Sequence, residues 1–459
     1  MDKHRAMPME KIGSTLFVLM IAFLAFVAGA MAVFGRVFPS EFLRDAYRAG
    51  EALVLQRQII ENPVLANLYQ PARTPARGVT IYDPKRAAPG YTLYTSGDDN
   101  VARLIAMDGH VVHEWRRPFS DVVKNGAFGR KPQPDSLVYM DRAVVFPNGD
   151  LLVIYISSAD TPWGYGMVKL DKDSNVIWSY LAPVHHDLAV APDNRIYTLS
   201  NEFDFNPVGA APQLDRPHLK DFVVVLSPDG KEIRKVSLTD AFLRSPYFSL
   251  MAILPYFALA DPLHPNTVEY VDADKAKNFP FAEQGDVLVS FRDMSLIAVL
   301  SMKTGEITWA TRGPWLGQHD PRILPNGDIL LFDNLGGIRH GNNSRVIEYD
   351  PRTSSVKWSY AGSAEHPFSS ALRSDVQRLG NGNTLITESD GGRIFEVTPA
   401  GDIVWEFVNP LRRGLQNELI PIVNGGERID PAMFEPAFRK TLEEVQLSHR
   451  DKAVTASTP

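Results

Sequence analysis

Apolar and polar residues alternate with period two through most of the chain, in short runs broken by Asp, Asn, Gly and Pro. Such runs predict half-buried β-strands joined by tight turns. Between about residues 90 and 410 one pattern recurs six times: apolar strand, turn, then a strand ending in Trp or an apolar residue. Its copies are ARLIAMDGHVVHEW, MVKLDKDSNVIWSY, FVVVLSPDGKEIRKVSL, IAVLSMKTGEITWA, VIEYDPRTSSVKWSY and IFEVTPAGDIVWEF. A second hairpin alternates with it, as AVVFPNGDLLVI, LAVAPDNRIYTL, PRILPNGDILLF and VQRLGNGNTLIT. A fifth copy, from NTVEYVDAD to GDVLVSF, has a longer turn. Two hairpins make a four-stranded blade, and about 53 residues per blade suits a propeller. The fold class predicted is all-β, a six-bladed β-propeller over residues 78–410. A sandwich of equal strand number would not explain the fixed order of hairpins.

The ends of the chain depart from this pattern. Residues 14–35 carry no charge and are long enough to cross a bilayer. A short basic tail precedes them, which predicts an uncleaved, single-pass inner-membrane anchor with residues 1–13 in the cytoplasm and the propeller in the periplasm. Ala30-Met31-Ala32 offers the alternative of a cleaved signal. Residues 36–77 are expected to be a spacer, helical from Ser40 to about Tyr69, with a linker from Pro71 to Pro84. Residues 411–459 read as a C-terminal extension with a helical stretch near Pro436–Leu447.

Composition narrows the function. The formal charge of -7, without a basic run, argues against a nucleic-acid partner. The chain has no cysteine, which excludes disulfides, thiol nucleophiles and thiolate metal sites.

Repeat register locates the candidate chemistry. His186 lies six residues before Pro192 and His319 six before Pro325, with Asp141 and Ser374 in the same place in two other copies and His264 opening the fifth. Equivalent positions of a propeller lie at equal height around its axis, so these side chains should ring one mouth of the channel. Asn201, Arg292, Asn334 and Ser389 return to that mouth at the far end of each hairpin. Three histidines, an arginine and two asparagines, without a cluster of carboxylates, suit an anion with several oxygens. A three-histidine metal site is the alternative. His366 sits in a loop expected near the same mouth, while His185 should point away from it on an alternating strand. His340 reads as exposed loop, His110 and His113 as outer-hairpin residues. Trp115, Trp178, Trp309, Trp358 and Trp405 read as blade packing.

These residues resemble the bacterial arylsulfotransferase family. The resemblance covers about Gly78 to Pro410 and is carried by HHDLAVAPDNRIYTL, HPNTVEY followed by VSFR, and QHDPRILPNGDILLFDN. It implies transfer of a sulfuryl group from an aryl sulfate to a phenolic acceptor through a sulfohistidine, with no nucleotide or other cofactor and no metal. On that resemblance His319 would be the nucleophile, and His264, Asn266, Arg292 and His186 would bind and polarise the sulfuryl group. Asn334, Asn201 and His366 would add substrate contacts. Asp293 follows the arginine, where family members often carry His or Asn. Two other readings remain open here: a non-catalytic binding or assembly propeller, and a quinone-dependent dehydrogenase suggested by the single TGEITW.

Overall fold

The computed structural model describes residues 9–35, 66–124, 128–158, 160–255, 258–337 and 344–456, with scattered positions between 37 and 64. It divides into two units, Met1–Asn62 and Pro63–Pro459. In the first, Met9–Phe34 is one α-helix, and its stretch Gly13–Phe34 is apolar and long enough to cross a membrane or to serve as a signal sequence. Short helical pieces follow, from Ser40 to Ile59. The expected helix to Tyr69 stops earlier, because Asn62 precedes a proline, which disfavours helical backbone. Tyr69–Pro71 is instead a strand paired with Leu419–Pro421.

The second unit is a six-bladed β-propeller, and each blade is an antiparallel four-stranded sheet or its five-stranded variant. Blade 2 comprises Val138–Val145, Leu151–Ser157, Gly164–Leu170 and Val176–Tyr180. Blade 3 comprises Val184–Val190, Ile196–Asp204, His218–Leu226 and Glu232–Ser237. Blade 4 comprises Pro265–Tyr270, Val287–Phe291, Leu296–Leu300 and Ile307–Thr311. Blade 5 comprises His319–Ile323, Ile329–Asp333, Arg345–Asp350 and Ser355–Tyr360. Blade 6 comprises Asp375–Arg378, Thr384–Glu388, Arg393–Val397 and Ile403–Val408, with Gly78–Tyr82 as a fifth, outer strand. Part of the expected 71–84 linker is thus sheet.

Blade 1 is assembled from both ends of the propeller. Tyr91–Ser96, Val101–Ile105 and Val111–Arg116 are its outer three strands, and Val423–Ile429 is its innermost. The expected boundary at Pro410 therefore falls short: the C-terminal segment closes the ring. The first strands of the six blades contact one another in turn around a closed circle.

Local chemistry explains the repeat. Gly327, in the turn of blade 5, has φ +82°, and a Cβ there would meet the Asn278 carbonyl at 2.0 Å, so only glycine fits. Asn194 takes the same left-handed role in blade 3 with φ 62°. Three tryptophans of the outer strands tie their blades to the next. Trp115 Nε1 donates to the Gly149 carbonyl of blade 2 at 2.9 Å, Trp358 to Pro399 of blade 6 at 2.8 Å, and Trp405 to Met107 of blade 1 at 2.9 Å. Blade packing, as read from sequence, is their role. The helix Pro436–Ala456 covers blade 1, with Phe438 and Leu442 buried in its core beside Trp115.

Candidate active site at one mouth of the channel

Most of the innermost strands are bulged near one end. The register shifts between Met140 and Ala143, His185 and Leu188, Pro265 and Thr267, His319 and Arg322, and Val423 and Gly425. His186, His264 and Asp320 hold left-handed backbone, with φ of 61°, 44° and 51°. A bulge places two residues opposite one and re-aims side chains, and such backbone is costly for residues other than glycine. Here it turns the histidines toward the channel mouth.

The histidines converge. The rings of His186 and His264 are 5.3 Å apart, and Trp163 lies against His186 at 5.9 Å and stacks on His264 at 5.5 Å. Asn266 Nδ2 donates to the Gln318 carbonyl at 2.8 Å, tying the opening of blade 4 to the residue before His319. Gln318 is itself buried and donates to Ser290 Oγ and to the Phe291 and Leu296 carbonyls.

Their protonation states are driven apart. Burial, reinforced by the positive charge of Arg292, lowers the His319 pKa to about 3, so the ring is neutral at neutral pH. Asn334 donates from Nδ2 to the Ser370 and Arg373 carbonyls, which leaves Oδ1 as the acceptor facing His319 Nδ1 at 2.8 Å. His319 Nδ1 therefore carries the proton, and Nε2 holds the lone pair. His264 behaves in the opposite way. Burial opposes its charge, but Asp261, bonded to its Nδ1, and Asp293 overcome this and raise its pKa above 6.5. A histidine kept neutral beside one whose charged form is favoured is the pattern of paired base or nucleophile and acid.

The sequence reading is amended at four points. Carboxylates do enter the site: Asp261 arrives three residues before His264, and Asp293 binds Arg292 at 2.6 Å, so that guanidinium is shared. His185 does not point away, because the bulge cancels the alternation and its Nδ1 lies 2.7 Å from Nδ1 of His186. Asn201 is buried next to Asp221 in blade 3. His366 is exposed in a turn closed on Ser363. His340 lies outside the described residues. Sequence reading missed Trp163, Asp261 and Arg373. Arg373 adjoins the repeat-aligned Ser374, and its charge helps hold His186 neutral.

Just inside the mouth, the aspartates that follow two of the histidines lock neighbouring blades. Asp187 accepts from Val268 N at 3.1 Å and Asp320 from Val376 N at 2.8 Å. Arg322 bridges both carboxylates, and Arg142 joins Asp187 and Asp375 at 3.3 and 2.7 Å. This ring of charge separates the histidines from a cavity of about 780 Å³ at the opposite mouth, lined by the turn residues Pro192, Pro325 and Gly380.

Comparison with known proteins gives a family. The model of a family described as arylsulfotransferase matches residues 142–410. No curated protein matches the chain. Among solved structures, a protein of unknown function from Bacteroides caccae is similar at 13% identity, covering 73% of this chain and 99% of that one, with a TM-score of 0.46. Virginiamycin B lyase from Staphylococcus aureus is similar at 12% identity, covering 59% and 70%, with a TM-score of 0.34. The WD40 propeller domain of Doa1 is similar at 14% identity, covering 74% and 79%, with a TM-score of 0.35.

Proposed function

The chain belongs to the arylsulfotransferase family, and from that premise we propose that it moves a sulfuryl group from an aryl sulfate to a phenolic acceptor through His319, without a nucleotide cofactor. The observation that carries this reading is the tautomer of His319. Its Nδ1–H is spent on Asn334, so its nucleophilic nitrogen is free and neutral beside a His264 whose charged form Asp261 favours.

In the first half-reaction His319 Nε2 bonds to sulfur as the sulfur–aryl oxygen bond breaks, and His264 protonates the departing phenolate. Asn334 Oδ1 then faces the positive sulfo-imidazole. In the second, the acceptor phenol returns a proton to His264 as its oxygen attacks sulfur, and the nitrogen–sulfur bond breaks. Arg292, Asn266 and His186 face the sulfuryl oxygens and offset their charge. The test is turnover of a chromogenic aryl sulfate with an added phenol, and absence of transfer to any phenol sinks the proposal.

The same assay carries a pH prediction. The acid works only while His264 is protonated, which holds below its raised pKa and fails as pH climbs through it. With a poorly acidic phenol as leaving group, kcat should therefore fall on an alkaline limb above pH 6.5. A strongly acidic leaving group needs no proton and should flatten that limb. Equal limbs for both donors remove His264 from the acid role.

We also propose that Gly13–Phe34 anchors the chain, with the propeller outside the cytoplasm. The short basic tail before the apolar run supports this orientation. A C-terminal reporter that is active only in the cytoplasm should stay silent, and an active one reverses the topology.

A further inference from the structure

Five buried side-chain atoms beside the histidine cluster have no hydrogen-bond partner among the described residues: Nε2 of His185, both oxygens of Asp221 and both amide atoms of Asn201. All three residues are almost wholly inaccessible. Asn201 and Asp221 face each other across adjacent strands of blade 3, and Asp221 Oδ1 lies 3.8 Å from His185 Nε2. An unsatisfied buried polar group costs about 1–3 kcal/mol, so such a set is not packing by default. It lies directly behind His186, to which His185 is bonded through Nδ1.

We propose that Asp221 and His185 are positioning residues that fix the proton of His186. The Asp221 carboxylic acid donates toward His185 Nε2, His185 Nδ1–H donates to His186 Nδ1, and His186 thereby presents Nε2–H to the channel. In the sulfuryl-transfer reading, on which this rests, that N–H is a hydrogen-bond donor to a sulfuryl oxygen and not a base.

The argument is one of counting protons. A neutral imidazole carries one N–H, and only one proton fits between two Nδ1 atoms 2.7 Å apart. Two chains are then possible. In the other, His186 Nδ1–H points back to His185, His185 Nε2–H points to an Asp221 carboxylate, and His186 turns a lone pair to the channel. That lone pair would repel the oxygens of an anion. Asp221 selects between them. Asp221 is wholly buried, and among the described residues no Lys or Arg lies within ion-pair distance of it, so an ionised carboxylate there would be uncompensated; burial and the neighbouring Asp261 push its pKa up in the same sense, and the protonated acid is the donor. Burial, with His264, lowers His185 to about 3, and burial with His185, His264, His319 and Arg373 lowers His186 well below 6.5. The chain is therefore neutral throughout. The 3.8 Å gap exceeds a hydrogen bond by about 1 Å, which a small side-chain rotation or one bridging water closes. Asn201 stands within the same pocket to accept from or donate to Asp221.

Nitrogen-15 NMR of histidine-labelled full-length protein reads the tautomer directly, whether or not the protein transfers sulfuryl groups. The expected result is His186 protonated on Nε2 with a bare Nδ1; the reverse tautomer overturns the proposal. Kinetics supply a second reading. Asp221→Asn keeps a donor at the same place and should hold kcat within about threefold. Asp221→Leu removes it and should lower kcat on the order of 10²-fold with KM little changed, the effect of one lost donor at a developing charge. A fall of about 10⁴-fold in Asp221→Asn would be the signature of a carboxylate that orients a histidine, and would overturn the assignment. If the wild type turns over no aryl sulfate, the reading of the site fails, while the NMR result still judges the chain.

Discussion

His319→Ala is expected to abolish sulfuryl transfer, with a loss on the order of 10⁵–10⁶ in kcat, as when a nucleophile is removed from a two-step enzyme. The lone pair on Nε2 is the group that must reach sulfur, and among the described residues no other neutral imidazole nitrogen at this mouth is held in register by an asparagine. Brief exposure of the wild type to phenyl sulfate without acceptor should add one sulfuryl group to the intact mass, and the adduct should map to His319. The mass is read at neutral to alkaline pH, because a nitrogen–sulfur bond to imidazole is acid-labile. The alanine variant should show no adduct. His319 is buried, and its loss leaves Asn334 Oδ1 without a partner at a cost of about 1–3 kcal/mol. Thermal melting must therefore show that the variant is folded. If folded His319→Ala keeps turnover comparable to wild type, the nucleophile is another residue, and His264 or His186 is examined next.

A chain ended after Pro410 should not fold. The strand Val423–Ile429 pairs along the whole of Tyr91–Ser96 and completes the ring of innermost strands. Its removal leaves the inner edge of blade 1 unpaired, and an exposed edge of this kind recruits other chains. It also removes Ile422, Val423 and Ile429, together with Phe434, Phe438 and Leu442 from the core against Trp115. Each such side chain contributes about 1.5–3 kcal/mol of burial. Six of them match the whole net stability of a typical domain, about 5–15 kcal/mol. A chain ended after Asp430 keeps the strand and loses Phe434 and the C-terminal helix with Phe438 and Leu442, so it should fold with a lower melting temperature. Cooperative melting of the 1–410 chain at the full-length temperature would contradict the closure.

The same strand shows why part of the fold was hard to read. VNGGERI carries two glycines, which weaken a strand in isolation. They are needed because the backbone there meets its neighbours closely: a Cβ on Gly426 would lie 2.5 Å from Thr387 Oγ1. Nothing local reports that approach, and the partner strand is more than three hundred residues away. The eleven hairpins that were legible each carry their own turn within one or two dozen residues.

The site divides along the same line. By itself the sequence determined the fold class, the number of blades and the family, because turn chemistry, alternation and the ordered histidine motifs are short-range signals repeated in register. It also placed His186, His264, His319, Arg292 and Asn334 near one mouth, since pseudo-symmetry converts equal register into equal height. Only the tertiary structure decided which protons those residues carry. Asp261 reaches His264 from an irregular loop, a bulge folds His185 onto His186, and Asp293 engages Arg292. Burial in the closed ring lowers the His319 pKa, while Asp261 and Asp293 outweigh burial at His264, and burial depends on all six blades being assembled, a condition that no segment of the chain carries in its own residues.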